Sequence, residues 1–478
     1  MMRLLDAIQA LGARCLGDTM TAFDRVETDS RTLGTGALFV ALRGTRFDGH
    51  DFVAAAIAAG AAAALVDEAW AGGDEAANCT LPLLIVPDTR LALGALAAYW
   101  RARFDLPLIG VTGSNGKTTV KDMCASILRA HFEGDACDRD AARETVLATA
   151  GNLNNDIGLP LTLLALRDHH RAAVVEMGMN RPGEIAYLGG LARPTVALVN
   201  NAQRAHLEGL GGVVEVAVEK GAIYGGLGAD GVAVVNADDP HADYWKGLNA
   251  SRKVLRFGFS AGAEVHGHCE LHGLLARVTI RHGKDSLDVQ LQVPGAHNAA
   301  NALAAAACCM AAGVPLEAVG LGLSRFAGTK GRLQRKPGPQ GATILDDSYN
   351  ANPDSVRAGI DVLAATPGRK ILVLGDMGEV GESSAQVHDE VGGYAKSKGV
   401  DALLALGEMS AVAVRNFGEG GTHFKSPEAL VATLEKLLDA DTVVLVKGSR
   451  FMRMERVVDL LAAGQNTAPS KNGGSHAA

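Results

Sequence analysis

The sequence predicts an α/β protein of three domains, in which a central P-loop-type parallel-sheet domain is flanked by a small N-terminal α/β domain and a C-terminal Rossmann-like domain. Three observations support this. At 478 residues the chain is too long for one ordinary core, and roughly 150 residues per domain suggests about three. From 104 to about 322, short apolar runs alternate with glycines and helical patterns, as in a parallel sheet covered by helices on both faces. One of those runs passes through Gly110-Val-Thr-Gly113-Ser-Asn-Gly116-Lys117-Thr118-Thr119 into a helical pattern, which is a strand, a glycine turn and a helix start.

In chain order, residues 1–103 hold Asp29-Ser30-Arg31, a β-like run at 37–42, an alanine-rich helix from Phe52, and a helix near 91–103 that leads out of the domain. In the domain at 104–322, the runs at 106–112, 172–177, 195–200, 232–236 and 254–257 read as strands and 120–131 as a helix. Residues 263–294 alternate apolar and polar, as in Ala276-Arg-Val-Thr-Ile-Arg, and read as antiparallel ribbon. The domain at 323–463 has strands at 342–346, 370–374, 402–406 and 442–446 spaced by helix-length segments, without a dinucleotide fingerprint after its first strand. The segment 133–143 is polar and acidic and has no assigned role. The tail 464–478 is polar and aperiodic, and we expect it to be disordered.

Apolar residues make up 48% and charged residues 21%, the balance of a soluble globular enzyme. A net charge of −8 argues against nucleic acid as a main partner, which needs a local basic excess. Cysteines at 15, 79, 124, 137, 269, 308 and 309 form no CxxC pair, so neither a disulfide framework nor a zinc site is indicated and a reducing cytoplasm is the expected location. The longest weakly apolar run, 54–66, is far short of the ~20 residues that a membrane span requires.

The glycine turn is built to hold a triphosphate. Gly113 and Gly116 let successive N–H groups turn toward phosphate oxygens, and the helix N-terminus adds its partial positive charge. Lys117 would reach the terminal phosphates and Thr118 would ligate Mg²⁺. The spacing is a variant, because Gly-x4-Gly-Lys-Thr would need glycine at 111, where the chain has Val111 after Gly110.

Other residues are ambiguous when taken singly. Glu176 closes a strand of the same sheet, where ligands of open α/β sheets bind, and reads equally as a metal ligand or as a capping or solvated strand-end carboxylate. His206 follows the next strand, but alone reads as a surface-loop histidine. Lys220 lies in a helical pattern and reads as an exposed helix lysine, and Arg332 reads as a linker arginine. Three asparagine-rich segments, 151–160, 295–301 and 346–353, offer neutral donors and acceptors, with turn and cap chemistry as the alternative. Within the second, Asn298 and Asn301 share one helical face.

Taken together, these segments resemble the Mur ligases, and most closely the branch that adds a D-alanyl-D-alanine dipeptide. The resemblance runs in order from about Asp29 to Arg450. It includes Thr28-Asp-Ser-Arg31, Phe39-Val-Ala-Leu, Asp48-Gly-His50, the loop 110–119, Gly151-Asn-Leu-Asn-Asn-Asp-Ile-Gly158, Glu176-Met-Gly-Met-Asn180, Asn201-Ala-Gln-Arg-Ala-His-Leu, Gly331-Arg-Leu, Asp347-Ser-Tyr-Asn-Ala-Asn-Pro353, Leu374-Gly-Asp-Met and Lys447-Gly-Ser449.

The resemblance implies a monomeric cytoplasmic ATP- and Mg²⁺-dependent ligase of peptidoglycan synthesis, serving cell shape and division. Its partners would be UDP-N-acetylmuramoyl-tripeptide, held by the N-terminal domain, and D-Ala-D-Ala, brought by the C-terminal domain. A substrate carboxylate would attack the γ-phosphate of ATP, and the dipeptide amine would then attack the acyl phosphate. By their places in the motifs, Ser114, Asn115 and Thr119 would join Gly113, Gly116, Lys117 and Thr118 around the nucleotide. Thr118 and Glu176 would hold one Mg²⁺ and His206 a second, with Lys220 as a carbamylated ligand or bridge. Arg332 would meet the γ-phosphate, Asn298 and Asn301 adenine, and Asp347 the ribose. Ser30 and Arg31 would meet the uridine nucleotide, Thr149 and Asn152 would serve the substrate side, and Asn350, Asn352 and Ser449 the dipeptide end. The C-terminal domain would close to shield the acyl phosphate from water. The diaminopimelate-adding ligase and folylpolyglutamate synthase are the nearest rivals, but their segments at 347–353 differ. A nucleotide-driven switch is a reading of another class.

Overall fold

The computed structural model describes residues 1–133 and 144–466, so the expectations for 134–143, for Cys137 and for 467–478 lie outside the described residues. Three larger sheets carry the chain, together with a two-strand pairing of Met2–Arg3 with Ala22–Phe23.

The central sheet has nine strands, with Leu108–Thr112 paired in parallel between Ala172–Glu176 and Val196–Val199. Val232–Asn236 and Lys253–Gly258 extend it in parallel. The ribbon expected at 263–294 is present as Val265–His272, Leu275–His282 and Asp285–Leu291, all antiparallel. It is not a separate body, because Phe257 and Gly258 pair in parallel with Val265 and His266 and make one continuous sheet.

Both faces of this sheet are covered, which is why its strands are continuous apolar runs rather than alternating ones. Ile109 and Val111 point to one face, where the helices Lys117–Glu133, Ala296–Ala311 and Leu316–Arg325 bury them. Leu108, Ala173, Val175 and Val199 point to the other, against Thr89–Arg101, Gly158–Leu164 and Glu184–Ala192. That second core runs on without a break into the N-terminal sheet, where Leu38, Val40, Leu65, Leu84 and Val86 belong to it. The helix Thr89–Arg101 is the shared layer, so the N-terminal and central units are welded through one apolar core.

The C-terminal unit is built differently. Its six strands run in the order Gln334–Pro337, Thr343–Asp347, Thr442–Lys447, Arg369–Gly375, Ala402–Leu406 and Gly421–Phe424. The buried members of its two cores come only from residues 333–461. The helix Leu316–Arg325 carries the central unit past the boundary expected at 323, since Gly322 packs on the backbone of Ile127. The helix Glu455–Asn466 continues through Asn466, past the start at 464 expected for the tail.

Candidate functional site

The loop after Leu108–Thr112 is bent by Gly116 at φ +82°, a left-handed conformation suited to glycine. A Cβ there would lie 2.3 Å from Asn301 Oδ1 and 2.6 Å from Asn200 Nδ2, so the loop is pressed against two asparagines. Asn200 Nδ2 donates to Asn115 O at 2.9 Å and to Asn301 Oδ1 at 3.0 Å. Asn301 Nδ2 in turn donates to Asn298 Oδ1 at 3.2 Å. Asn298 and Asn301 do share a face, but both are buried and they brace the loop from below. Ser114 and Asn115 are tied to Gln203, through Ser114 Oγ to Gln203 O and Asn115 Nδ2 to Gln203 Oε1.

A cleft of 360 Å³ opens above this loop. Lys117 lines it and donates from Nζ to Gly113 O at 2.7 Å. Burial pushes its ammonium below the ordinary lysine range, opposed by the negative charge of Glu176. Glu176 is buried, and Asn154 Nδ2 donates to its Oε1 at 2.7 Å. Its Oε2 is buried with no donor. An ionised oxygen without a donor is costly, and a cation shared with Thr118 and phosphate oxygens would satisfy it. Burial excludes the solvated reading of Glu176 but leaves the capping one, and the free oxygen, with Thr118 of the same cleft, is a donor set that suits Mg²⁺.

His206 lines the same cleft, at φ +59°. Its Nδ1 lies 2.8 Å from Glu379 Oε2, and Glu379 is itself left-handed at φ +60°. That hydrogen bond, with His206's charge, holds the Glu379 carboxyl below its usual range, against the effect of its burial. The structure thus pairs His206 with a C-terminal carboxylate rather than with Glu176. Among the described residues, no group of three His, Cys, Asp or Glu side chains converges as a metal cage.

Lys220 is not the exposed helix lysine that its spacing suggests. It is 1% exposed, with Trp245 and Leu248 packed over the neighbouring Gly221. Burial first, and the charge of Lys117 second, drive its ammonium well below the ordinary value.

The C-terminal unit forms the roof of the cleft through polar contacts. Arg204 donates to Asp354 Oδ1 from Nε at 3.0 Å and from Nη2 at 2.7 Å, and to Glu390 Oε2 at 3.3 Å. Asn352 caps the helix Pro353–Ala364 and donates from Nδ2 to Asn115 Oδ1 at 2.8 Å. Arg332 Nη2 reaches Thr118 Oγ1 at 3.4 Å, and its guanidinium stacks 4.2 Å from the Tyr349 ring centroid. Ser449 is buried, donating to Ala351 O and accepting from Gly378 N, so it fixes two rim loops. Asn350 and Asn152 are exposed on the cleft's rim.

A neighbouring cleft of 690 Å³ shares Asn115, Gly116, Thr118, Arg204 and Arg332 with the first and adds Thr119, His297, Asn298, Asn301, Asp347 and Lys447. Asp347 accepts from Lys447 Nζ at 2.6 Å and from Leu333 N at 3.2 Å. Burial lowers Lys447, with Asp347 opposing, and pushes His297 down to about 4.

Three expected substrate residues lie elsewhere. Ser30 and Arg31 line neither cleft, and Arg31 is exposed and forms a two-point pair with Asp29. Thr149 is buried, its hydroxyl accepting from Glu176 N at 3.0 Å and its carbonyl accepting from Lys121 Nζ at 2.8 Å. It positions the strand end that carries Glu176. Sequence reasoning missed Asn200, Arg204, Glu379 and Lys447. Two of them, Arg204 and Lys447, lie inside quoted motifs, but the partners of Asn200, Arg204 and Lys447 are 85, 150 and 100 residues away, so no local spacing marks them.

The Arg204 contacts supply a test of closure. Arg204→Ala is expected to remove two to three charge-assisted bonds and, at about 1–2 kcal/mol for a half-exposed pair, to weaken kcat/KM for ATP ~5–30-fold. Small-angle scattering with an ATP analogue and UDP-peptide should show less compaction than in the wild type. Equal compaction would refute the closing role.

Comparison with known proteins agrees with this geometry. Family models match residues 23–101 (Mur ligase family, catalytic domain), 111–309 (Mur ligase middle domain) and 331–450 (Mur ligase, glutamate ligase domain). The chain is 44% identical over 444 residues to the UDP-N-acetylmuramoyl-tripeptide--D-alanyl-D-alanine ligase of Escherichia coli, covering 92% of this chain and 93% of that one. It superposes on the crystal structure of MurF from Acinetobacter baumannii with a TM-score of 0.86 at 35% identity, covering 96% and 98% of the two chains. The MurF ligase of Thermotoga maritima in complex with ADP gives a TM-score of 0.78 at 27% identity, covering 95% and 100%. With a phosphate loop, an orphaned carboxylate oxygen and a polar roof in one cleft, and with relatives matched over nearly their whole length, the chain belongs to the Mur ligase family.

Proposed function

We propose that this protein is an ATP-dependent carbon–nitrogen ligase that joins D-alanyl-D-alanine to UDP-N-acetylmuramoyl-tripeptide in peptidoglycan precursor synthesis. The carrying observation is the single cleft in which Lys117 and Glu176 of the central unit face Asn350 and Asn352 of the C-terminal unit. Relatives of that activity match over nearly their whole length. No helix among the described residues is long and apolar enough to cross a membrane; the nucleotide substrates favour the cytoplasm as its site of work.

Phosphoryl transfer needs positioning and charge neutralisation more than a protein nucleophile. The loop N–H groups and Lys117 would hold the triphosphate, and Arg332 would lie over its terminal end. Thr118 and the free oxygen of Glu176 would hold Mg²⁺, which supplies charge neutralisation to the phosphates when bound. The carboxylate of the UDP-linked peptide forms a bond to the γ-phosphorus as the bond to the bridging oxygen breaks and ADP departs. The dipeptide amine then adds to the acyl carbon, loses a proton, and the tetrahedral intermediate expels phosphate. The polar roof excludes water between the two steps.

Lys220 takes a role consistent with its burial. A lysine driven toward its neutral amine is the form that adds CO₂, so a carbamate there would bring a carboxylate-like group beside Lys117. Asn298 and Asn301, bracing the loop, would face the base, and Asp347 the ribose, in the 690 Å³ cleft.

Phosphate release tests the reading. It should require ATP, UDP-tripeptide and D-Ala-D-Ala together, and should fail with single amino acids in place of the dipeptide. Release with ATP alone would favour a nucleotide-driven switch, and release with a single amino acid would favour an amino-acid-adding ligase.

A further inference from the structure

The incoming dipeptide carries a terminal carboxylate about two residues from its reacting amine, and a ligase that joins only this end must read that charge. We propose that Arg450, held by Glu455, binds the terminal carboxylate of the dipeptide. This rests on the ligase reading above.

Arg450 lines the 360 Å³ cleft on the C-terminal rim. Its backbone N–H donates to Asn350 Oδ1 at 3.3 Å, which links it to the rim asparagine. Its guanidinium lies 5.5 Å from the centroid of Tyr349, the same ring that Arg332 stacks on at 4.2 Å. The two guanidiniums are therefore separated by no more than those two distances together, the order of an extended dipeptide at ~7 Å for two residues. Arg332 touches Thr118 and so marks the phosphate end, and Arg450 lies within a dipeptide's reach of it, across the same tyrosine ring.

The donor inventory leaves Arg450 with capacity. Among the described residues, only Nη1 is engaged by a side chain, donating to Glu455 Oε1 at 2.9 Å. The side chain is 59% exposed and lines the cleft, so its other N–H groups are open to a ligand there. A guanidinium has a planar fork suited to a carboxylate. Glu455 sits in the first turn of the helix Glu455–Asn466, and its Oε2 is buried without a donor. It is a positioning residue, anchoring one edge of the guanidinium and leaving the other edge to the ligand. Among the other cations of the cleft, Arg90 is paired with Asp156, Arg204 with Asp354, and Lys117 faces the loop carbonyls.

The test compares D-Ala-D-Ala with D-alanyl-D-alaninamide, which keeps the amine and loses the negative charge. Wild-type full-length enzyme should prefer the dipeptide by ~30-fold or more in kcat/KM, as a charged hydrogen-bonded pair permits. In Arg450→Ala the KM for the dipeptide should rise ~10–100-fold, the KM for ATP should stay within about twofold, and the preference should fall below ~3-fold. Glu455→Gln should raise the dipeptide KM less while leaving kcat near wild type, because it frees the arginine without removing it. If the wild type turns over the dipeptide but uses the amide equally well, or if Arg450→Ala keeps the preference, this assignment is wrong and the ligase reading stands. If the wild type shows no dipeptide-dependent phosphate release, the ligase reading itself fails and takes this one with it.

Discussion

Lys117→Ala is expected to cut turnover by at least ~10³-fold, about 4 kcal/mol of transition-state stabilisation, with little change in melting temperature. The two effects separate because the ammonium is kept at a cost. The residue is half-buried, desolvation lowers its proton affinity, and among the described residues its hydrogen bonds go to the carbonyls of Gly113 and Ser114 in its own loop. Removing it relieves that desolvation and leaves two loop carbonyls to water, so the fold loses little. The transferring phosphoryl group, in the role proposed for this loop, would lose a protein cation. Lys117→Arg should fail nearly as badly, since a planar fork does not replace a compact point charge in a loop this tight. Phosphate release at saturating substrates is the measurement, with calorimetry on the same samples. Residual turnover within tenfold of wild type would remove Lys117 from the chemistry.

Lys220→Met is expected to move stability and activity in opposite directions. Methionine keeps the length and apolar stem of lysine and drops an amine that is 1% exposed and, among the described residues, meets no hydrogen-bond or ion-pair partner. Relieving that burial should add about 1–3 kcal/mol, seen as a rise in melting temperature of roughly 2–4 °C. Turnover should fall ~10³-fold or more if the neutral amine carries a catalytic carbamate. The carbamate itself is checked by ¹³C NMR of protein equilibrated with ¹³C-bicarbonate, where wild type should show a carbonyl signal that the variant lacks. A stabilised variant with normal turnover would mean that Lys220 is only a buried lysine.

Several elements were legible because local pattern and tertiary burial agree. The strands Val232–Asn236 and Ala402–Leu406 fall at their expected ends, since the first is four buried apolar residues closed by Asn236 and the second five buried apolar residues. The helix after the phosphate loop begins at Lys117 rather than at 120, because Lys-Thr-Thr has no apolar periodicity and is recruited by the turn that Gly116 makes. Lys220 was misjudged for the same kind of reason. Its neighbours have helical spacing with charges, and nothing local shows that Trp245 closes over that face.

The sequence alone determined the phosphate loop, the alternation that makes parallel sheets, and the ordered motifs that carry the family, because each is set by backbone conformation and periodicity within a few residues. Only the tertiary structure decided that the first two units share one core while the third keeps its own and meets them through polar contacts and the packed Leu274. It also decided that Glu176 has a free oxygen in the cleft and that Arg204 meets Asp354 across 150 residues. Those facts depend on which side chains packing brings to one rim, and a side chain's neighbours across a cleft leave no period along the chain.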